Sequence, residues 1–224
     1  MDDFTTQVCG VGALAEPARR ALYFYVIGQQ EPVSRDQVAA GAGLPRHTAT
    51  FHLDRLVADG LLDTEFRRLS GRRGPGAGRP AKLYRRADRQ IAVTLPPRHY
   101  DLVAQILAAG VERAARAGVP VEEAVRAAAA DAGRRIAAAA SPVRSLGDVA
   151  GVLAGHGYEP RVDGDTVVLA NCPFHAVVRE HTALVCGLNL ELVAALLDVL
   201  GHGASARLEP APGRCCVVVQ SPSE

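Results

Sequence analysis

Apolar positions recur at helical spacing through most of the chain and alternate only in short bursts, the pattern of a mostly α protein with small β elements. Glu16–Ile27 reads as a helix with Pro17 in its first turn, where a missing N–H costs nothing, and it holds three of the ten aromatic residues. Ser34 can N-cap a short helix through Ala40. The pattern breaks at Gly41-Ala42-Gly43 and restarts over Leu44–Val57, with Ala49, Leu53, Leu56 and Val57 on one face and Arg46, His47, Thr50, Phe51 and Arg55 looking outward. Two helices joined by a Gly-containing turn, the second with polar donors on its free face, form a helix-turn-helix pattern. Gly60 stops the second helix, Leu61–Arg68 alternates as a strand, and Ala81–Arg86 reads as the return strand. The intervening Leu69–Pro80 is too rich in Gly and Pro for regular structure, so the three pieces describe a hairpin with a basic tip, a wing.

Beyond the wing, residues 88–97 read as an extended connector and Arg98–Ala117 as a helix. The stripe Tyr100, Leu102, Val103, Ile106, Leu107 and Val111 on that helix is wider than a small domain needs, which makes it a candidate dimer helix. An Ala-rich helix over Val119–Ala140 can approach its neighbours closely. A helix over Ser145–Gly155 is capped by Ser145. Tyr158–Val162 and Thr166–Ala170 form a hairpin around Asp163-Gly164-Asp165. Helices over Ala176–Leu184 and Leu190–Leu200 and strands over Ala204–Leu208 and Cys215–Val219 complete the chain. Residues 1–15 read as a loosely held lead. The expected organisation is a winged helix-turn-helix domain over 1–90, a linker and dimerisation helix over 91–118, and a Cys-rich α+β effector domain over 119–224.

Charge changes this picture locally. The formal net charge is only +1, which taken alone argues against a nucleic-acid binder, but residues 1–90 carry a balance of +4 and residues 91–224 of −3. Between Arg67 and Arg86 stand eight basic residues and no acidic one, suited to a phosphate backbone. The candidate DNA-contacting set is Arg46, His47, Thr48, Thr50, Phe51, His52 and Arg55 on the second helix, with Arg72, Arg73, Arg79 and Lys82 on the wing. Hydrophobic residues make up 48% but aromatics only 4%, so the cores must be built of Ala, Val and Leu. No uninterrupted apolar run approaches the ~20 residues of a bilayer span, and the acidic N-terminus has the wrong sign for a secretory signal. The expectation is a cytoplasmic, non-membrane protein whose five cysteines are reduced.

Four of those cysteines lie between 172 and 216. Cys172 and His175 have the tight spacing of a metal clip, and Cys186, Cys215 and Cys216 offer further thiolates. Strand alternation would send Cys215 and Cys216 to opposite faces, leaving one as a ligand. Three thiolates and an imidazole suit Zn2+, and thiolate-rich sites equally suit iron–sulfur clusters. Cys9 stands alone in the lead. No phosphate-binding Gly loop, metalloprotease helix or acid–base pair is present in the sequence, so an enzyme is not expected; a thiolate-metal enzyme, or a structural Zn2+ beside a small-molecule effector, are the alternatives.

Two stretches carry a resemblance. Thr48–Leu56, Asp59-Gly60-Leu61-Leu62, Gly78-Arg79-Pro80 and Tyr84 resemble the ArsR-type winged-helix transcription regulators. Leu95-Pro96-Pro97-Arg98, Tyr100-Asp101-Leu102, Asn171-Cys172-Pro173, Val185-Cys186 and the later Cys pair resemble the effector part of regulators related to the SufR-type iron–sulfur repressors. The resemblance implies a homodimer on double-stranded operator DNA, and a cluster held through Cys172, Cys186 and one of Cys215 and Cys216. His175 and the doubled cysteine depart from that pattern and keep Zn2+ open.

Overall fold

The computed structural model describes residues 3–68 and 80–221. The chain divides into two compact units, Met1–Val93 and Thr94–Glu224.

In the first unit the lead is helical rather than loose: α1 spans Asp3–Ala13. Ala13 is buried, Gly10 lies under the Ile91 side chain, and the Ala92 N–H donates to the Gln7 side chain at 3.0 Å. Sequence spacing conceals this because the helix has little apolar periodicity and is held by residues some eighty positions away. α2 (Pro17–Ile27) starts at Pro17, and the Glu16 carboxylate caps it by accepting from Ala18 and Arg19 N–H groups. β1 is the two-residue Val33–Ser34. α3 (Arg35–Gly41) opens with a reciprocal capping box between Ser34 and Gln37. α4 (Arg46–Ala58) follows, then β2 (Leu62–Arg67) and β3 (Ala81–Arg86), which lies between β1 and β2 in an antiparallel sheet.

Leu22, Val26, Val38, Ala49, Leu53, Leu56 and Leu62 form the core of this unit. Gly41 ends α3 where any side chain would collide with the Tyr25 ring: a Cβ there would stand 1.9 Å from a ring carbon. The glycine thus lets the helix-turn-helix seat against α2.

The second unit begins with α5 (Tyr100–Ala117) and α6 (Val121–Ala138), then α7 (Leu146–Ala154), which Ser145 caps through a box with Asp148. β4 (Pro160–Asp163) and β5 (Thr166–Leu169) form the expected hairpin. α8 (His175–Glu180) and α9 (Thr182–Leu200) follow, and β6 (Ser205–Leu208) and β7 (Val217–Gln220) complete a sheet of order β4-β5-β7-β6. α5 buries Val103, Ile106, Gly110 and Ala114, and its Gly110 meets Val125 of α6; the Val111 side of the expected stripe stays exposed.

α6 and α9 make the central packing of this unit. The small residues of α6 allow it: Ala124, Ala128, Ala129, Ala132 and Gly133 are all buried. A Cβ on Gly133 would stand 2.1 Å from the Leu192 carbonyl oxygen.

α9 differs from expectation. The break expected at Val185–Asn189 is absent: the first expected helix, Ala176–Leu184, divides at His181 between α8 and α9, and α9 runs unbroken from Thr182 to Leu200. By length and composition alone α9 is long and apolar enough to cross a membrane, a stretch longer than the apolar runs read from the sequence. Half of that apolar stretch is buried inside the unit, and Leu188, Leu192, Val193 and Leu196 supply its core.

Candidate functional site

The first unit presents α4 as its outward helix. Ala49, Leu53 and Leu56 are buried, which turns Arg46, His47, Phe51 and Arg55 to solvent, with Thr48 and Thr50 half-buried. The Thr50 hydroxyl donates to the Arg46 carbonyl at 2.8 Å. His52 departs from the predicted DNA-contacting set. Its side chain is 12% exposed and lies 3.7 Å from the Glu16 carboxylate, so it turns toward the start of α2 and away from the outward face.

The cations of this face are held by acidic neighbours. Arg46 pairs with Asp36 at 2.6 Å, Arg55 with Asp59 at 2.9 Å, and Lys82 with Asp54 at 2.8 Å. The bond to Asp54 raises the Lys82 pKa. The Arg46–Asp36 and Lys82–Asp54 pairs are exposed on both sides, where such a pair contributes little to stability, so a phosphate can exchange for the carboxylate at small cost; the Asp59 side chain is largely buried beneath the exposed Arg55. Arg72, Arg73 and Arg79 lie outside the described residues.

A helix-turn-helix carried on α3 and α4, followed by the antiparallel β2–β3 pair, defines the class of this unit: a winged helix-turn-helix. The model of a family described as a helix-turn-helix domain matches residues 14–65, from the end of α1 into β2. That domain points to a DNA-binding regulator rather than an enzyme. No curated protein and no solved structure matches the chain.

In the second unit the four later cysteines converge. Cys215 is buried, its titration is governed by its neighbours Cys172 and Cys216, and that of Cys216 by Cys215 and Cys186. They line one side of an apolar cavity of about 510 Å³, with Arg126, Arg179 and Arg214 among its other walls.

Cys215 and Cys216 do not sit on opposite faces of a strand. β7 starts only at Val217, and the bend before it lets both thiols turn inward. The Cys215 N–H donates to the Leu169 carbonyl and the Glu209 N–H to the Cys216 carbonyl, both at 2.8 Å, which fixes the bend at its two ends. Cys186 lies in the second turn of the continuous α9, not at an element boundary. His175 lines the same cavity from its exposed edge as the first residue of α8. Cys9 is exposed in the other unit.

The thiols share their charge unequally. Hydrogen bonds from Cys172 and Cys216, with others from the Val217 N–H and Asn189, hold the Cys215 thiol well below its ordinary pKa against the opposing effect of burial. The same contacts with Cys215, reinforced by burial, push Cys172 and Cys216 up.

Sequence reasoning misses Asn189. It is 1% exposed; its Nδ2 donates to Cys215 Sγ at 3.3 Å and its Oδ1 accepts from the buried Tyr158 hydroxyl at 2.5 Å. Its signal in the sequence is an amide standing among leucines, Leu188-Asn189-Leu190, because a buried amide requires partners. Asn171 stands out in the sequence only as a neighbour of Cys172. It donates to the carbonyls of Pro97 and Gly157 at 2.9 and 2.6 Å and accepts from Arg98, and so ties the loop before Cys172 to the entry of α5.

The donor types suit a thiophilic metal, since four sulfurs line one apolar cavity. Among the described residues no three His, Cys, Asp or Glu side chains form a ready-made ligand cluster.

Proposed function

We propose that the chain is a cytoplasmic transcription repressor that binds operator DNA as a homodimer through its winged helix-turn-helix. In this reading Cys172, Cys186, Cys215 and Cys216 hold an iron–sulfur cluster, and the state of that site sets operator affinity. The observation that carries the sensor half is the convergence of four cysteines, spread between 172 and 216, on one cavity. A bound cluster would supply an oxidant-sensitive, thiolate-ligated centre of net negative charge. Arg126, Arg179 and Arg214 would offset that charge, and Asn189 would orient Cys215. A site that favours one of two arrangements of the regulator can shift DNA affinity only by its difference in affinity for the two.

His175 on the edge of the same cavity supports a second reading, in which a single Zn2+ takes thiolate and imidazole ligands. In that case a small-molecule effector has room elsewhere in the unit, in a cavity of about 710 Å³ lined by Leu102, Ile136, Val143, Val152, Arg135 and His156.

Protein purified without oxygen decides between them. A cluster gives brown protein with iron and acid-labile sulfide that bleaches in air; Zn2+ gives colourless protein with one metal per chain. Cys172→Ser and Cys186→Ser lose the metal, and Cys9→Ser keeps it. Folded, metal-free protein from iron- and zinc-replete cells would refute both. A sensor also requires loaded and stripped protein to differ about 5- to 150-fold in operator affinity.

A further inference from the structure

Phe51 is 69% exposed, the most exposed aromatic residue of its unit, and it sits in the middle of the outward face of α4. It lies one turn beyond Arg46 and His47 and one turn before Arg55. Helical recognition elements read base edges with residues of their N-terminal half, and Phe51 is the sixth of thirteen residues.

The ring is also held in place. It packs edge-on against His52 with centroids 5.2 Å apart, and His52 is itself inserted beside Glu16, the cap of α2. The inward-turned histidine thus acts as a bracket that keeps the phenyl ring pointing out of the helix.

The cations around Phe51 can serve phosphates or base acceptors, but a phenyl ring has no hydrogen bond to give. The apolar feature that B-form DNA offers in its major groove is the C5-methyl group of thymine. We propose that Phe51 is a specificity-determining residue that reads a thymine methyl in the operator. This rests on the DNA-binding reading above and adds to it the chemical identity of one base.

The test uses the full-length chain and duplexes selected by it from a randomised pool. Each thymine of the selected site is then replaced in turn by deoxyuridine, which removes only the methyl group. At one or more positions the replacement lowers wild-type affinity about three- to tenfold. Phe51→Ala binds the thymine duplex correspondingly less tightly and no longer distinguishes thymine from deoxyuridine at that position, while its melting temperature stays that of the wild type because the side chain supports no core. His52→Gln, which loosens the bracket, gives an intermediate ratio.

A wild-type protein indifferent to every replacement, a selected site without thymine, or a Phe51→Ala protein that keeps the full thymine preference would overturn the assignment while leaving DNA binding intact. Failure to select any duplex would instead overturn the DNA-binding reading, and this assignment with it.

Discussion

Asn189 shows how much one side chain can carry. It is a buried amide in an apolar helix, satisfied on one side by the Tyr158 hydroxyl and on the other by the Cys215 sulfur. Burial raises the pKa of Tyr158 well above its ordinary value, and the neighbouring thiols reinforce this, so its hydroxyl stays protonated and donates. Asn189→Leu strands that hydroxyl in the core and should cost about 2–3 kcal/mol, read as a lowered urea midpoint. Adding Tyr158→Phe removes the orphan and should return much of the loss, because deleting both partners of a buried bond costs less than deleting one. If the double variant is as unstable as the sum of the single ones, the two residues are not coupled. The Asn189→Leu protein should also alkylate more slowly at Cys215, since the thiolate loses one of its donors.

At the level of elements, glycine separates packing from propensity. Gly133 and Gly151 both lie inside helices, where glycine costs about 0.5–1 kcal/mol relative to alanine. Gly133 of α6 touches the α9 backbone, with 2.1 Å between an added Cβ and the Leu192 oxygen; around Gly151 of α7 nothing lies within 4 Å. Gly133→Ala must push two helices apart and should destabilise by about 3 kcal/mol or more. Gly151→Ala should stabilise by about 0.5–1 kcal/mol. Thermal melts of the two variants should therefore move in opposite directions. A common direction would show that the α6–α9 packing is softer than described.

For the whole molecule, the consequence is electrostatic. The chain is almost neutral, yet its positive balance lies in the first ninety positions, with 14 Lys/Arg against 10 Asp/Glu, so DNA binding must be strongly salt-dependent in spite of the net charge of +1. Replacing Arg72, Arg73 and Arg79 each by Ala should weaken all duplexes alike and lower the salt slope by about 1 for every phosphate left without its cation. Titrations by fluorescence anisotropy between low and moderate salt measure this directly. An unchanged slope in the triple variant would remove the wing from the interface.

The helix-turn-helix is legible in the sequence because its determinants are local. Ser34 and Gln37 cap α3, glycines end α3 and α4, and Ala49, Leu53 and Leu56 mark the buried face, all within about thirty residues. The hairpins are legible for the same reason, since a turn and two alternating runs suffice. The breaks and partners that depend on distant atoms are not. α1 is held by Ile91; the run over Val185–Asn189, with its glycine and asparagine, looks like an interruption until α6 packs along it and Tyr158 and Cys215 satisfy the amide. His52 shares the helix of Phe51, but its spacing from the buried Ala49 and Leu56 puts it beside the buried face, where Glu16 is its neighbour. The cysteines can be counted in the sequence and grouped by spacing. Their convergence is decided by the sheet, in which hydrogen bonds from Cys215 to Leu169 and from Glu209 to Cys216 set the bend that brings both thiols beside Cys172 and Cys186. Local bonds are written in adjacent residues, whereas the direction of a side chain in a bend depends on what the opposite strand offers it.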